Sequence, residues 1–193
     1  MYDYNGYIDL IKSSLSEYRF NHSINVAKRA RELARIYGLD EEKAYLAGIL
    51  HDITKETDYS LQEEYMNNVG IIPTELEKNN KKVYHQMSGA AYVKGVLNID
   101  DEDILSAIRF HTTGHADMTD FEMLIYLADL TSEERDYPDV DTVRALADKS
   151  LLEAMLYALR FTIRDLAGKN SLIHPDTLHC YNWVITQINN AKD

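Results

Sequence analysis

A chain of 193 residues with 45% hydrophobic content is long enough to bury one sizeable core. Its 32 acidic against 20 basic residues leave a net charge of −12, which repels nucleic-acid backbones and anionic membrane surfaces and argues against either as a partner. The single cysteine, Cys180, excludes an intrachain disulfide, and apolar runs such as LLEAMLYAL are too short to span a bilayer.

The MYDYNGYIDL start lacks the basic residues and apolar block of a secretion signal, so the expected compartment is the cytoplasm. A first helix is predicted near residues 3–18. Val26, Ala30, Leu33, Ala34 and Tyr37 then recur on one helical face, which predicts a helix over 21–37 that stops at Gly38. Asp40 reads as the N-cap of a third helix, from Glu41 to about Asp52, carrying Leu46, Ile49 and Leu50. A helix over 60–69 comes after it, and the polar PTELEKNNKKV, 73–83, reads as a loop or short helix leading into one over 83–97. Helices over 101–111 and 119–130 come next, then an exposed loop at 131–141 marked by Pro138 and acidic residues. The remainder divides into helices near 140–148, 150–168 and 175–190. No stretch alternates apolar and polar residues long enough for a strand, and three prolines and eight glycines mark no linker. The expectation is one all-α domain over residues 1–193, with roughly eight to ten helices. Tyrosine and leucine on the amphipathic helices can serve either a homodimer or the core.

Six residues suited to metal binding fall at the ends of these helices: His22, His51, Asp52, His85, His111 and Asp129. Helix ends can converge on one cavity while the shafts pack away from it. Taken singly, a histidine at such an end commonly caps the helix or faces solvent, and Asp129 can equally cap the next segment. His51 and Asp52 stand out because they terminate the apolar run Ala47–Leu50, where an ionised carboxylate is costly to bury without a cation or hydrogen-bond partners.

In order along the chain, FNHSINVAKRA, LAGILHDITK, VYHQMSGA, AIRFHTTGH, MLIYLADLTSEERDYPDV and LIHPDTLHCYNWV resemble the HD-domain metal-dependent phosphohydrolases. Among these the chain is similar to the YqeK type, the bacterial symmetrical diadenosine-tetraphosphate hydrolases. The resemblance implies a helical bundle, as the periodicity does independently, and cleavage of diadenosine tetraphosphate to two ADP. It also implies that His22, His51, Asp52 and Asp129 hold one divalent metal ion and that His85 and His111 serve a second, with Asp52 shared. Six protein ligands on a single octahedral ion would leave no position for water or phosphate, whereas two ions sharing them stay open. A mixed imidazole and carboxylate set suits first-row metals, and the resemblance favours iron, with manganese or another first-row ion as the alternative.

Lys55, one turn beyond His51, and Arg135, six residues beyond Asp129, belong to matching motifs. With Asp52 they are expected to carry catalysis, the two cations binding phosphate oxygens. Thr112, Thr113 and Gly114 can hold phosphate beside His111, or can simply end a helix. His115 can bind phosphate or face a loop's solvent side; Arg19, His174 and His179 stand in the same position, packing being the plainer role for the last two. Where the family commonly reads Glu-Pro and then Pro-Gly-Val, this chain has Ser132-Glu133 and Pro138-Asp139-Val140, so the loop carrying Arg135 is expected to differ in shape. Two other readings fit the same motifs: an HD phosphatase of mononucleotides or deoxynucleoside triphosphates, and an HD module that binds nucleotide without turnover.

Overall fold

The computed structural model describes residues 2–191. Helix α1 spans Tyr4–Ser14 and α2 spans Glu17–Tyr37. The break between them falls at Leu15-Ser16, earlier than the periodicity suggested, because the Ser16 hydroxyl accepts the Arg19 N–H and caps a new helix. Arg19 and His22 therefore sit inside α2, and His22 occupies its second turn instead of opening it. Gly38 ends α2 in the left-handed conformation, φ 67°, as its position implied.

Asp40 caps α3, Glu41–Leu50, by accepting from the N–H groups of Glu42 and Lys43. This helix ends two residues before Asp52, so His51 and Asp52 lie at its exit. Helix α4 covers Tyr59–Asn68. The segment read as a loop or short helix contains both α5, Glu75–Asn79, started by a reciprocal capping box between Thr74 and Glu77, and a 3-10 turn at Lys81–Val83. That extra element brings the total among the described residues to eleven α-helices, one more than the upper expectation.

Helices α6, Tyr84–Gly95, and α8, Asp120–Thr131, are buried on nearly all sides, which explains why their sequences show little amphipathic contrast. Helix α7, Glu102–Phe110, packs between them with Ile104, Ala107 and Ile108 inward. A second capping box, Thr119 with Glu122, starts α8. Thr131 and Ser132 are also buried, so the exposed loop begins later than expected, after Ser132. Asp139 takes φ 71° before α9, Val140–Ala147, and α10, Leu151–Gly168, and α11, Pro175–Asn190, close the bundle.

The main core runs from Ile11 through α2, α3, α7, α8 and α10 to Ile188, and each fully buried leucine or isoleucine in it is worth roughly 2 kcal/mol. Met66, Val83, Tyr84, Met87 and Ala91 form a smaller cluster beneath α4. Among the described residues no helix is long and apolar enough to cross a membrane.

Candidate metal centre

Five helices deliver the six expected ligands to one place. His51 is the C-cap of α3 and keeps right-handed dihedrals, after which tight turns carry Asp52 to Lys55, the Lys55 N–H donating to Asp52 O at 2.9 Å. His111 occupies the equivalent position after α7, His85 is the second residue of α6, and Asp129 lies in the last turn of α8. His22 joins them from the second turn of α2. His22, His51, Asp52, His85 and His111 are buried, with Asp52 2% and His51 0% exposed, and Asp129 is partly buried.

Asp52 stands at the centre, and its two oxygens face different histidines. Oδ2 lies 3.7 Å from His51 Nε2 and 3.9 Å from His22 Nε2, while Oδ1 lies 3.4 Å from His85 Nε2 and 3.5 Å from His111 Nε2. Asp129 Oδ1 is 3.1 Å from His22 Nε2. Donor atoms of His22, His51 and Asp129 lie within 4.8 Å of one another, as do those of His51, Asp52 and His111.

The tautomers follow from the backbone. His51, His85 and His111 each donate Nδ1–H at 2.8 Å to a carbonyl three residues earlier, that of Gly48, Lys82 and Ile108 respectively. Every Nε2 is then a lone pair turned into the ring. The Nε2 atoms of His85 and His111 are only 3.1 Å apart, an approach that two lone pairs make only against a cation or a proton. His51 Nε2 and Asp52 Oδ1 are buried without a hydrogen-bond partner. Orphaned buried acceptors supplied by imidazole and carboxylate fit a bound metal ion.

The electrostatics of His51, His85, Asp52 and Asp129 agree. Burial pushes His51 down to about 4 and His85 well below the usual histidine range, so both imidazoles are uncharged at neutral pH. Burial opposes the charge on Asp52 and Asp129, yet the surrounding imidazoles and cations hold both well below the usual carboxylate range. At His22 burial is outweighed by Asp129 and Glu134, which raise it to about 9.

Three cations reach the ring. Lys55 Nζ lies 3.5 Å from Asp52 Oδ1 and 2.9 Å from His85 Nε2, and Arg135 donates Nε to Asp129 O at 2.8 Å and Nη2 to Asp129 Oδ1. Arg19, left open by the sequence, donates Nη1 to Asp52 Oδ2 at 3.1 Å. Beside them a cavity of about 280 Å³ is lined by Lys55, Tyr59, Gln62, Lys81, Lys82 and His85. A second, of about 350 Å³, shares Lys82 and extends past Thr112 to Leu172 and His174.

The Thr112–Gly114 segment divides. Thr112 Oγ1 is 3.0 Å from His85 Nε2, at the edge of the ring. Thr113 is buried, and the N–H groups of Thr112 and Thr113 both donate to Gln86 Oε1, at 3.1 and 3.2 Å, leaving neither for phosphate. Gly114 has φ 63°, and a Cβ there would lie 2.9 Å from Cys180 Sγ, so packing explains it. His115 turns away from the ring, its Nε2 donating to Glu122 Oε1 at 2.9 Å with the Phe110 ring against it. His174 caps α11 and lies 3.4 Å from Glu77, and His179 is largely exposed.

Two residues at the site carried no signal of their own in the sequence. Gln86 looks like an ordinary helix residue and yet fixes the turn after His111. Glu134, inside the charged run Ser132–Asp136, reads as a solvated loop residue and yet contacts His22.

Residues 19–134 match the HD domain family. The chain is 38% identical to the "Bis(5'-nucleosyl)-tetraphosphatase, symmetrical" of Halalkalibacterium halodurans, over 93% of this chain and 96% of that protein. It is 37% identical to the protein of the same description from Bacillus subtilis, over 91% and 94%. Its fold matches the crystal structure of a predicted HD superfamily hydrolase involved in NAD metabolism from Clostridium acetobutylicum, with a TM-score of 0.93 and 35% identity over 97% of this chain and 99% of that one. The ring of histidines and aspartates thus lies within the matched region, and the chain belongs to the HD domain family and, within it, to the symmetrical bis(5'-nucleosyl)-tetraphosphatases.

Proposed function

We propose that the protein is a metal-dependent symmetrical bis(5'-nucleosyl)-tetraphosphatase that hydrolyses diadenosine tetraphosphate to two ADP. Close relatives over nearly the whole chain support the activity. The observation that carries the metal assignment is the division of Asp52, Oδ2 toward His22 and His51 and Oδ1 toward His85 and His111. One carboxylate serving two imidazole pairs suits two ions, the first held by His22, His51, Asp52 and Asp129 and the second by Asp52, His85 and His111. The donor set suits iron, with manganese as the alternative. The same reading expects a cytoplasmic enzyme whose ligand is a free nucleotide, not a nucleic acid.

When bound, two such ions supply Lewis-acid polarisation of a phosphoryl oxygen and a water of lowered pKa. The chain's own residues do the rest. Lys55 at the His85 side of the ring and Arg135 at Asp129 neutralise oxygens on the phosphoryl group under attack and on the departing diphosphate. Arg19 adds a third cation at Asp52, and the Thr112 hydroxyl offers a donor beside His85. Lys81 and Lys82 line the path a tetraphosphate would take out of the ring. Water adds to an inner phosphorus, the P–O bond to the departing ADP breaks, and this stable diphosphate anion leaves without needing a strong general acid.

Chromatography of products from diadenosine tetraphosphate, with metal-loaded and chelated protein, tests the reading. ADP alone, and only with metal, is the expected result. AMP with ATP, or turnover confined to mononucleotides or deoxynucleoside triphosphates, would replace the substrate, and no turnover of any nucleotide would leave a binding module.

A further inference from the structure

His22 is oriented differently from the other three imidazoles of the ring. His51, His85 and His111 fix their tautomers locally, each through a carbonyl three residues back. In the second turn of α2 the corresponding carbonyl belongs to the helix ladder, and the His22 ring has no such local acceptor. Its Nδ1 instead meets Glu134 Oε1 at 2.5 Å, across 112 residues of sequence.

Glu134 is itself held from two sides. Asn25, one turn beyond His22 on α2, donates Nδ2–H to Oε2 at 2.8 Å, and the Ser132 hydroxyl donates to Oε1 at 2.8 Å. Ser132 is itself fully buried, which holds its hydroxyl in place against Glu134. The side chain is 23% exposed, so little water competes for it.

We propose that Glu134 is a positioning residue that fixes the His22 tautomer, points Nε2 into the ring, and raises the affinity of one of the two metal positions. A carboxylate behind a metal-ligating imidazole increases its basicity and locks its rotation, and removing such a partner typically weakens binding 10- to 100-fold. The inference rests on the reading of His22 as a ligand.

The test is titration of metal-free protein with Mn²⁺, counting free ion by electron paramagnetic resonance, for the wild type, Glu134→Ala, Glu134→Gln, His22→Asn and the His22→Asn/Glu134→Ala double variant. Glu134→Ala is expected to weaken one class of site by about 10- to 100-fold and leave the other unchanged. Glu134→Gln, which keeps an acceptor oxygen and loses the charge, is expected between the two. His22→Asn should lose the same class, and adding Glu134→Ala to it should cost nothing more, a non-additivity that loop damage would not produce. Wild-type affinity in Glu134→Ala while His22→Asn loses an ion would overturn the role of Glu134 and leave His22 a ligand. Additive losses in the double variant would overturn it as well, and two full-affinity ions in His22→Asn would remove the ligand assignment and the inference together. Asn25→Ala, which removes the Nδ2–H donor to Glu134 Oε2, is expected to weaken the same class by a smaller factor and covers the case in which Glu134→Ala fails to fold.

Discussion

Gly48 of α3 lies directly on Ala27 of α2: a Cβ at residue 48 would stand 2.5 Å from Ala27 Cα and 2.8 Å from Ala27 N. No side chain fits between the two backbones there. The contact is one turn from His51, whose ring hydrogen-bonds the Gly48 carbonyl, and it sets how close His51 comes to His22.

Gly48→Ala should therefore do more than crowd the core. Overpacking costs about 1–3 kcal/mol, here set against backbone that cannot swing aside, and the forced separation of the helices should also lower metal affinity. Chemical denaturation with metal analysis of the folded fraction checks both. A stable variant with full metal content would mean that the crossing does not govern the ring.

Asp52→Asn removes the charge shared by both histidine pairs, and both ions and turnover should be lost together. In the wild type, metal at about 100 times its dissociation constant adds about 2.7 kcal/mol of stability, a rise in melting temperature of roughly 5–10 °C for a chain of this size. The variant should show no rise. Elemental analysis and a melting curve with and without Mn²⁺ decide the matter; a variant that keeps one ion would assign Asp52 to a single position.

Lys55→Met and Arg135→Met separate substrate handling from metal holding. Each cation touches a ring carboxylate, but neither is a metal ligand, so metal content should stay near two ions per chain. Turnover of diadenosine tetraphosphate should fall about 10²- to 10³-fold in each, the usual cost of losing one charged donor to a developing oxyanion. Steady-state kinetics with metal analysis of the same samples tests this, and unaltered turnover in either would return that residue to a surface role.

The His115–Glu122 pair predicts a pH-dependent contribution to stability away from the ring. The Glu122 hydrogen bond raises His115 above the usual histidine range against the effect of burial. Burial opposes the charge on Glu122, but His115, Ser106 and Thr119 bring it down to about 2. The histidine's contribution is thus complete below its ordinary 6.5 and is lost as pH rises through the higher folded value. The glutamate's is complete above its ordinary 4.5 and is lost only as pH falls toward 2. His115→Ala should cost about 1 kcal/mol more at pH 6 than at pH 9, since the loss of packing on Phe110 is common to both. Equal losses at the two pH values would show that the pair contributes no pH-dependent stability between them.

Much of this protein was legible along the chain because its signals are local. Asp40, Gly38 and the period of Val26 to Tyr37 act within a turn or two of themselves, and each behaves as its type and place require. The short α5 was half visible, since a capping box needs only Thr74 and Glu77, whereas the α2 start was placed at residue 21 and lies four residues earlier, where Ser16 caps it. The six histidines and aspartates of the ring were identifiable by residue type and order. The direction of His115 was not, because a loop histidine beside phosphate-like neighbours reads the same whether it turns inward or toward Glu122.

By itself, then, the sequence determined an all-helical chain and the positions of most helix ends, which depend on interactions within a few residues, while the six candidate ligands were named from residue type and from the order of family-like motifs. Only the tertiary structure decided which oxygen of Asp52 faces which histidine, that Gln86 rather than phosphate takes the Thr112 and Thr113 N–H groups, and that Glu134 stands behind His22. The Gln86–Thr112 and Glu134–His22 pairings reach across 26 and 112 residues of chain. They are set by how closely the helices cross, a property of packed surfaces that no local pattern carries.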